Sequence, residues 1–326
     1  MMERMIAKQY DKTVCNITQV FGGVGGLTYA VETCDGKYIL KGTSDNRAGM
    51  QNEPEISEFL KTKQIPVAEY IKTNDGHYVW EWDSISYHLQ RFVEGETLPF
   101  HAAPDWFMTQ SGSMLGRIHS ALSTFRPLPI GLGEGFLNFM TPDHPKRSYE
   151  RTLERAIRNG DGDIAKDVAY RLSQIDSLQK IKFDIVKFTC CNTHGDYKIS
   201  QMLCKGHQIS AVIDWTSACI HPVCWEIIRS FTYADPSSRD GEIEFGRFLK
   251  YINAYLDFSP LNPYDLNMMP SFFCYQLLAC DYYGQYYDAE HANKADFLHQ
   301  ATFATKLIRW LQKNMEELSE MLIKII

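Results

Sequence analysis

Near residue 95 the chain changes character, and that change limits the folds open to it more than any one motif does. Before it, short runs of alternating apolar residues are separated by tight turns; after it, apolar residues recur at helical spacing. Strands first and helices afterwards read as α+β. With 326 residues and 44% hydrophobic content there is material for two lobes, and nothing suggests disorder or a fibre. The boundary is placed so that residues 1–93 form one lobe and residues 94–326 the other.

In the first lobe, residues 16–21 lead into the cluster Gly22-Gly23-Val24-Gly25-Gly26, residues 27–33 alternate, Asp35-Gly36 supplies a two-residue turn, and residues 37–41 return. This is an antiparallel hairpin with a glycine-rich tip. Residues 53–63 carry Ile56, Phe59 and Leu60 at helical spacing before Pro66 stops the run. Further strands are expected over 67–73, 77–82 and 86–93, the first two joined by Asn74-Asp75-Gly76.

In the second lobe, Met114, Leu115, Ile118 and Leu122 share a helix face. Residues 148–158 and 163–180 are charged amphipathic helices, and a stripe from Phe303 through Leu311 to Leu322 marks a long terminal helix packed on the core. One strand-like island, residues 202–204 and 209–213 around Lys205-Gly206, interrupts the helices.

Charge narrows the partners. The formal net charge is -7 and the basic residues are scattered, so there is no stripe to neutralise a nucleic-acid backbone. A mildly acidic surface leaves room for a cationic small molecule. The first residues hold no apolar signal core, and no apolar run reaches the roughly 18 residues that cross a bilayer. Nine cysteines without a CxxC spacing disfavour zinc and a disulfide framework. These features lead to the expectation of a cytoplasmic protein with no membrane or nucleic-acid partner.

Two groups of residues carry chemistry. The strand island is entered through His194-Gly195-Asp196 and left through Asp214-Trp215, so a short hairpin returns Asp214 towards Asp196, with Gln201 between them in sequence. Two carboxylates and an amide oxygen are hard donors that suit Mg2+ and can orient an attacking hydroxyl. The glycine cluster offers backbone N–H groups to phosphate, and Lys41 adds a point charge. Glu53 is expected at the head of the next helix, placed to pair with Lys41; Glu55 and Glu58 compete for that part.

The order of these motifs resembles the aminoglycoside phosphotransferase and choline kinase-like family: glycine loop, Lys41, Glu53, Gln90-Arg91-Phe92-Val93-Glu94-Gly95, Leu115-Gly116-Arg117-Ile118-His119, His194-Gly195-Asp196 and Ile213-Asp214-Trp215. The resemblance runs from about residue 15 to about residue 240 and implies a protein-kinase-like bilobal fold. A small antiparallel-sheet lobe with one main helix would hold the nucleotide, and a larger, mainly helical lobe would hold the catalytic loop and the acceptor.

It further implies a kinase that uses ATP or GTP and Mg2+ to phosphorylate a hydroxyl of a small molecule by direct in-line transfer. Asp196 would be the catalytic aspartate and His194 the brace of its loop, with Asp214 the principal metal ligand. Gly22, Gly23, Gly25, Gly26, Lys41 and Glu53 would form the phosphate site, and Gln90, Arg91, Phe92 and Val93 the hinge that reads the purine edge. His119 is a packed core residue, and Glu226 stands where an aspartate usually anchors the loop. Two departures qualify this. Gln201 replaces the usual asparagine as second metal ligand, and Lys198 replaces a frequent histidine, where it could stabilise charge on the transferring group. Gln201 keeps open an alternative, a catalytically weak or inactive nucleotide-binding relative.

Overall fold

The structure, a computed structural model, describes residues 2–20, 26–44, 46–131, 141–178, 182–289 and 293–325. Gly22, Gly23 and Gly25, and the end of the helix expected over 163–180, lie outside the described residues.

The alternating runs build one antiparallel sheet. Its strands β1 (Val14–Gln19), β2 (Leu27–Thr33), β3 (Gly36–Thr43), β4 (Tyr70–Ile71), β5 (Val79–Trp82) and β6 (Ile85–Arg91) follow the order β1-β2-β3-β6-β4, with β5 also on β6. The β2–β3 turn differs from expectation by one residue. Cys34 and Asp35 form it, because Gly36 already pairs with Thr33 while the Asp35 carboxylate accepts from the Thr33 and Tyr38 hydroxyls. The strand expected over 67–73 shortens to β4, since only Tyr70 and Ile71 find partners on β6.

Period-two alternation gives the sheet two different faces. Val31, Tyr38, Leu40, Tyr87 and Leu89 point to one side, where α1 (Met2–Tyr10) covers them with Ile6 and Tyr10. The strand-and-turn reading omits this helix, whose few apolar residues form a stable stripe only against the sheet. On the other face Lys41 and His88, directly opposite each other in register, meet α2 (Arg47–Thr62). That helix starts well ahead of residue 53 because the Asn46 side chain caps it, accepting from the Gly49 N–H at 2.9 Å. Glu53 therefore lies within the helix and not at its head, followed by Pro54.

The helical part is built on α3 (Asp105–Leu122), α4 (Asp143–Asn159), α5 (Gly162–Leu178), α6 (Val223–Ala234), α7 (Phe245–Leu256), α8 (Pro263–Ala279), α9 (Tyr282–Asp288) and α10 (Lys294–Ile323). Every residue of α6 is buried. The main core runs from the inner face of α2, at Ile56 and Leu60, through α3 and α6 to α10, so it crosses residue 93. None of the helices among the described residues is long and apolar enough to cross a membrane.

Two short ladders interrupt these helices. The expected hairpin is β8 (Met202–Lys205) with β9 (Gln208–Val212), and a second pair, β7 (Cys190–Thr193) with β10 (Cys219–Pro222), brackets it. The sequence does not signal β7 and β10, four-residue strands that pair across the intervening segment with no tight turn joining them. Together they hold residues 194–201 and 213–218 between two ladders.

A buried arginine ties the C-terminal helices together. Arg171 on α5 is fully buried, and its guanidinium donates to Thr305 Oγ1 at 2.8 Å, the Tyr149 hydroxyl at 2.8 Å, and the carbonyls of Cys280 at 3.0 Å and Ala301 at 3.2 Å. These oxygens include the C-terminal end of α8, where a cation also meets the helix dipole. Arg171→Leu should therefore lower the unfolding free energy by roughly 3 kcal/mol, because buried acceptors lose their donor. A fall in the urea midpoint at unchanged slope is the expected result; an unchanged midpoint would show that the carbonyls find other partners.

Candidate active site

Glu53 is fully buried and connects three distant segments. Its carboxylate faces Lys41 Nζ from β3 at 3.5 Å, accepts from His88 Nε2 of β6 at 2.8 Å, and accepts from the Trp215 backbone N–H at 3.0 Å. Burial alone would raise its pKa, but the Lys41 ammonium and the His88 hydrogen bond outweigh that and hold it well below the usual carboxylate range. Lys41 is likewise kept charged: burial works against the ammonium, and Glu53 and Asp214 more than offset it.

Lys41 continues the chain to Asp214, at 3.2 Å from its Oδ1. Asp214 has φ +68, a left-handed conformation seldom adopted by a residue other than glycine, and it is held there by the Thr216 hydroxyl, which donates to the same carboxylate at 3.0 Å. Gln201 then joins the two aspartates. Its Nε2 donates to Asp214 Oδ2 at 3.2 Å and to Asp196 Oδ2 at 3.1 Å.

Asp196 is bound by two cations, Lys198 Nζ at 2.8 Å on Oδ2 and Arg229 Nη2 at 2.6 Å on Oδ1. Burial would raise its pKa, but Arg229 and then Lys198 prevail and lower it to about 2. Three carboxylates and three cations thus form one connected series, Glu53, Lys41, Asp214, Gln201, Asp196, and Lys198 with Arg229.

The loop that carries Asp196 is fixed from below. His194 Nδ1 accepts from the Asp196 N–H at 3.3 Å, so Nε2 carries the proton and donates to the Ile213 carbonyl at 3.0 Å. One imidazole therefore bolts the Asp196 turn to the Asp214 turn. Glu226, fully buried at the start of α6, accepts from the backbone N–H groups of His194 at 3.2 Å and Tyr197 at 3.3 Å, and from His119 Nε2 at 2.9 Å. Burial would raise the pKa of Glu226, yet these hydrogen bonds lower it. Gly195, at φ +79, is required by space as well: a Cβ there would lie 1.9 Å from the Ser217 carbonyl oxygen.

The expected residues divide into two sets. Lys41, Glu53, Asp196, Lys198, Gln201 and Asp214 come together. Gly26 stands at the entry to β2, where a Cβ would approach the Gly42 carbonyl oxygen to 3.2 Å. In the expected hinge, the Arg91 and Phe92 N–H groups bond the carbonyls of Glu69 and Lys37, and the Arg91 side chain pairs outward with Glu69 at 3.3 Å. Gln90 is buried with Oε1 unpartnered among the described residues, while Phe92 is exposed. Val93 N–H makes no backbone hydrogen bond among the described residues. His88 and Arg229 were not anticipated. A histidine at the same strand phase as Lys41 and an arginine inside an otherwise apolar helix were the available signals.

The donor set suits a hard cation. Both carboxylates turn an oxygen towards one polar hydrogen-bond donor, Gln201 Nε2, and rotating that amide by half a turn would present its oxygen instead. Among the described residues no cluster of three or more His, Cys, Asp or Glu side chains offers a further metal site.

A family model described as "Phosphotransferase enzyme family" matches residues 16–256. No curated protein sequence matches the chain. Among solved structures, an amicoumacin kinase in complex with AMP-PNP, Ca2+ and Ami is 12% identical, with TM-score 0.65 over 97% of this chain and 92% of its own. A spectinomycin phosphotransferase in complex with ADP and spectinomycin is 13% identical, with TM-score 0.64 over 98% and 96%. A microcompartment-associated aminopropanol kinase is 13% identical, with TM-score 0.61 over 98% of both chains. At such identities the likeness is one of fold: an antiparallel-sheet lobe followed by a helical lobe, of the protein-kinase-like kind.

The charge state of Glu53 can be tested by pH. With its folded pKa below the ordinary value of about 4.3, the unfolded chain takes up the proton first as pH falls. Its contribution is complete above about pH 6 and is lost as pH falls through about 4 and below. Glu53→Gln should be less stable than the wild type at neutral pH and should show a shallower decline between about pH 5 and 3. Parallel curves for the two proteins would mean that Glu53 is not ionised in the fold.

Proposed function

The chain belongs to the phosphotransferase enzyme family and is a small-molecule kinase; we propose that it transfers the γ-phosphoryl group of ATP or GTP directly to a hydroxyl of its acceptor. The observation that supports this most is the placement of Asp196 and Asp214 on either side of Gln201, with Lys41 reaching Asp214 from the sheet.

In this reading residues 1–93 hold the nucleotide, and residues 94–326 hold the catalytic loop, the metal ligands and the acceptor. Gly22, Gly23, Gly25 and Gly26 border the phosphates, and Lys41, kept inward by Glu53, supplies positive charge to them. Within the hinge, Val93 N–H is the donor left for a purine edge, because those of Arg91 and Phe92 are taken up inside the protein. Asp214 and Gln201 would hold a magnesium ion, which when bound neutralises charge on the phosphate oxygens.

Asp196 orients the acceptor hydroxyl. The hydroxyl oxygen attacks the γ-phosphorus in line, the bond to the bridging oxygen breaks, the nucleoside diphosphate leaves, and the hydroxyl proton passes to Asp196. Lys198, on the same carboxylate, stabilises charge on the group in transit. The neighbours that bind spectinomycin or amicoumacin, or that act on aminopropanol, suit the expectation of a small hydroxylated acceptor. A cytoplasmic setting, where nucleoside triphosphates are at hand, goes with it.

The test is phosphate transfer from labelled ATP or GTP to a panel of hydroxylated compounds. Asp196→Ala should lower turnover on the order of 10²–10⁴-fold while nucleotide binding persists. Unchanged turnover would remove Asp196 from the mechanism. Nucleotide binding with no product from any acceptor would favour the inactive-relative reading. Net retention at a chiral γ-phosphorus would refute direct transfer.

A further inference from the structure

The catalytic aspartate carries one cation on each of its oxygens. Asp196 Oδ2 faces Lys198 and Gln201, the side of Asp214, while Oδ1 is held by Arg229, which reaches it from α6. Arg229 is thus the cation that an acceptor approaching Asp196 from the side of Oδ1 meets.

Arg229 also has hydrogen-bonding capacity to spare. Its side chain is 10% exposed, one nitrogen, Nη2, bonds Asp196, and the other, Nη1, is buried without a partner among the described residues. The guanidinium lies against the rings of Trp225, 5.2 Å away, and Tyr233, 4.8 Å away. Trp225 Nε1 donates to Gln276 and the Tyr233 hydroxyl accepts from Gln300, and neither residue bonds Nη1 among the described residues. A buried guanidinium nitrogen without an acceptor is uncommon in a finished fold and leaves a hydrogen bond for a ligand or water to complete.

Several carboxylates that could draw a cationic acceptor are engaged within the protein. Asp235 is fully buried against Arg247, Asp281 and Glu244 cap helices, and Asp240 and Asp288 pair with Lys306 and Arg155. We infer that the acceptor is a hydroxylated carboxylic acid whose carboxylate is received by Arg229 while its hydroxyl meets Asp196. A planar guanidinium can hold two carboxylates on neighbouring edges, one from the protein and one from the ligand. Arg229 is then a specificity residue that touches the substrate and fixes its hydroxyl to one side of the reacting aspartate.

This inference rests on the phosphotransfer reading, and its test separates the two. With magnesium and ATP, the full chain should phosphorylate glycerate or 4-hydroxybutyrate at least about tenfold better in kcat/KM than the matching amides, the margin of one charge-assisted hydrogen bond. Arg229→Lys should raise KM for the acid on the order of 10–100-fold and bring the acid-to-amide ratio near one. Its KM for ATP should stay within about twofold of the wild type, because Arg229 does not contact the residues assigned to the nucleotide. Comparing acid with amide inside the same variant cancels any general effect on Asp196.

Equal turnover of acid and amide, turnover confined to amino alcohols, or an unchanged ratio in Arg229→Lys would overturn the inference and leave the kinase reading standing. Calorimetric titration of 4-hydroxybutyrate into the AMP-PNP complex gives the converse. Binding that Arg229→Lys abolishes, without turnover of any hydroxy acid or other acceptor, would support the carboxylate subsite and count against phosphoryl transfer. Neither binding nor turnover of either acid would overturn the subsite.

Discussion

The fully buried carboxylate of Glu53 is the interaction on which the site's geometry depends. Taking a carboxylate out of water costs several kcal/mol, and the cost is tolerated only where charge and hydrogen bonds surround the group. Here the compensation comes from β3, β6 and the turn after β9: Lys41, His88 and the Trp215 N–H. Those three segments cannot drift apart without stranding the charge. The sheet, α2 and the Asp214 turn are therefore fixed relative to one another by electrostatics as well as by apolar contact, and Lys41 is left one direction in which to reach out, towards Asp214.

Glu226 does for the Asp196 turn what Glu53 does for the Asp214 turn. It is also fully buried, and it takes two backbone N–H groups from the loop itself. Between these anchors, His194 joins the two turns through a single tautomer, and Gly195 lets them press together where any side chain would collide with Ser217. The ladders β7–β10 and β8–β9 close both ends. The result is a pair of aspartates whose backbones are positioned before any ligand arrives, which suits the phosphoryl transfer proposed for them.

Much of this was legible because it depends on local pattern. Period-two runs located the sheet, and a hairpin between two aspartates brought the residues of the candidate site together. The order of motifs pointed to the family whose model the chain matches. What escaped depends on contacts made across the chain. The start of α2 is set by Asn46 in its cap, α1 forms only on a sheet face, and β7 and β10 are four residues each. His88 and Arg229 matter through partners far away in sequence, Glu53 and Asp196, and no local window contains both members of either pair.

In the proposed mechanism, the strength of Asp196 as a base follows from its neighbours. With a pKa lowered to about 2 by Arg229 and Lys198, it has little thermodynamic capacity to remove a proton from an unactivated alcohol at neutral pH. It remains a strong hydrogen-bond acceptor with one well-defined direction, since both oxygens are already tethered. In a loose transition state the nucleophile gains little bonding before the leaving group has largely departed, and the hydroxyl becomes acidic only late. An aspartate that aligns the hydroxyl early and receives its proton late needs orientation more than basicity. The two cations that weaken Asp196 as a base are the same two that hold it in line.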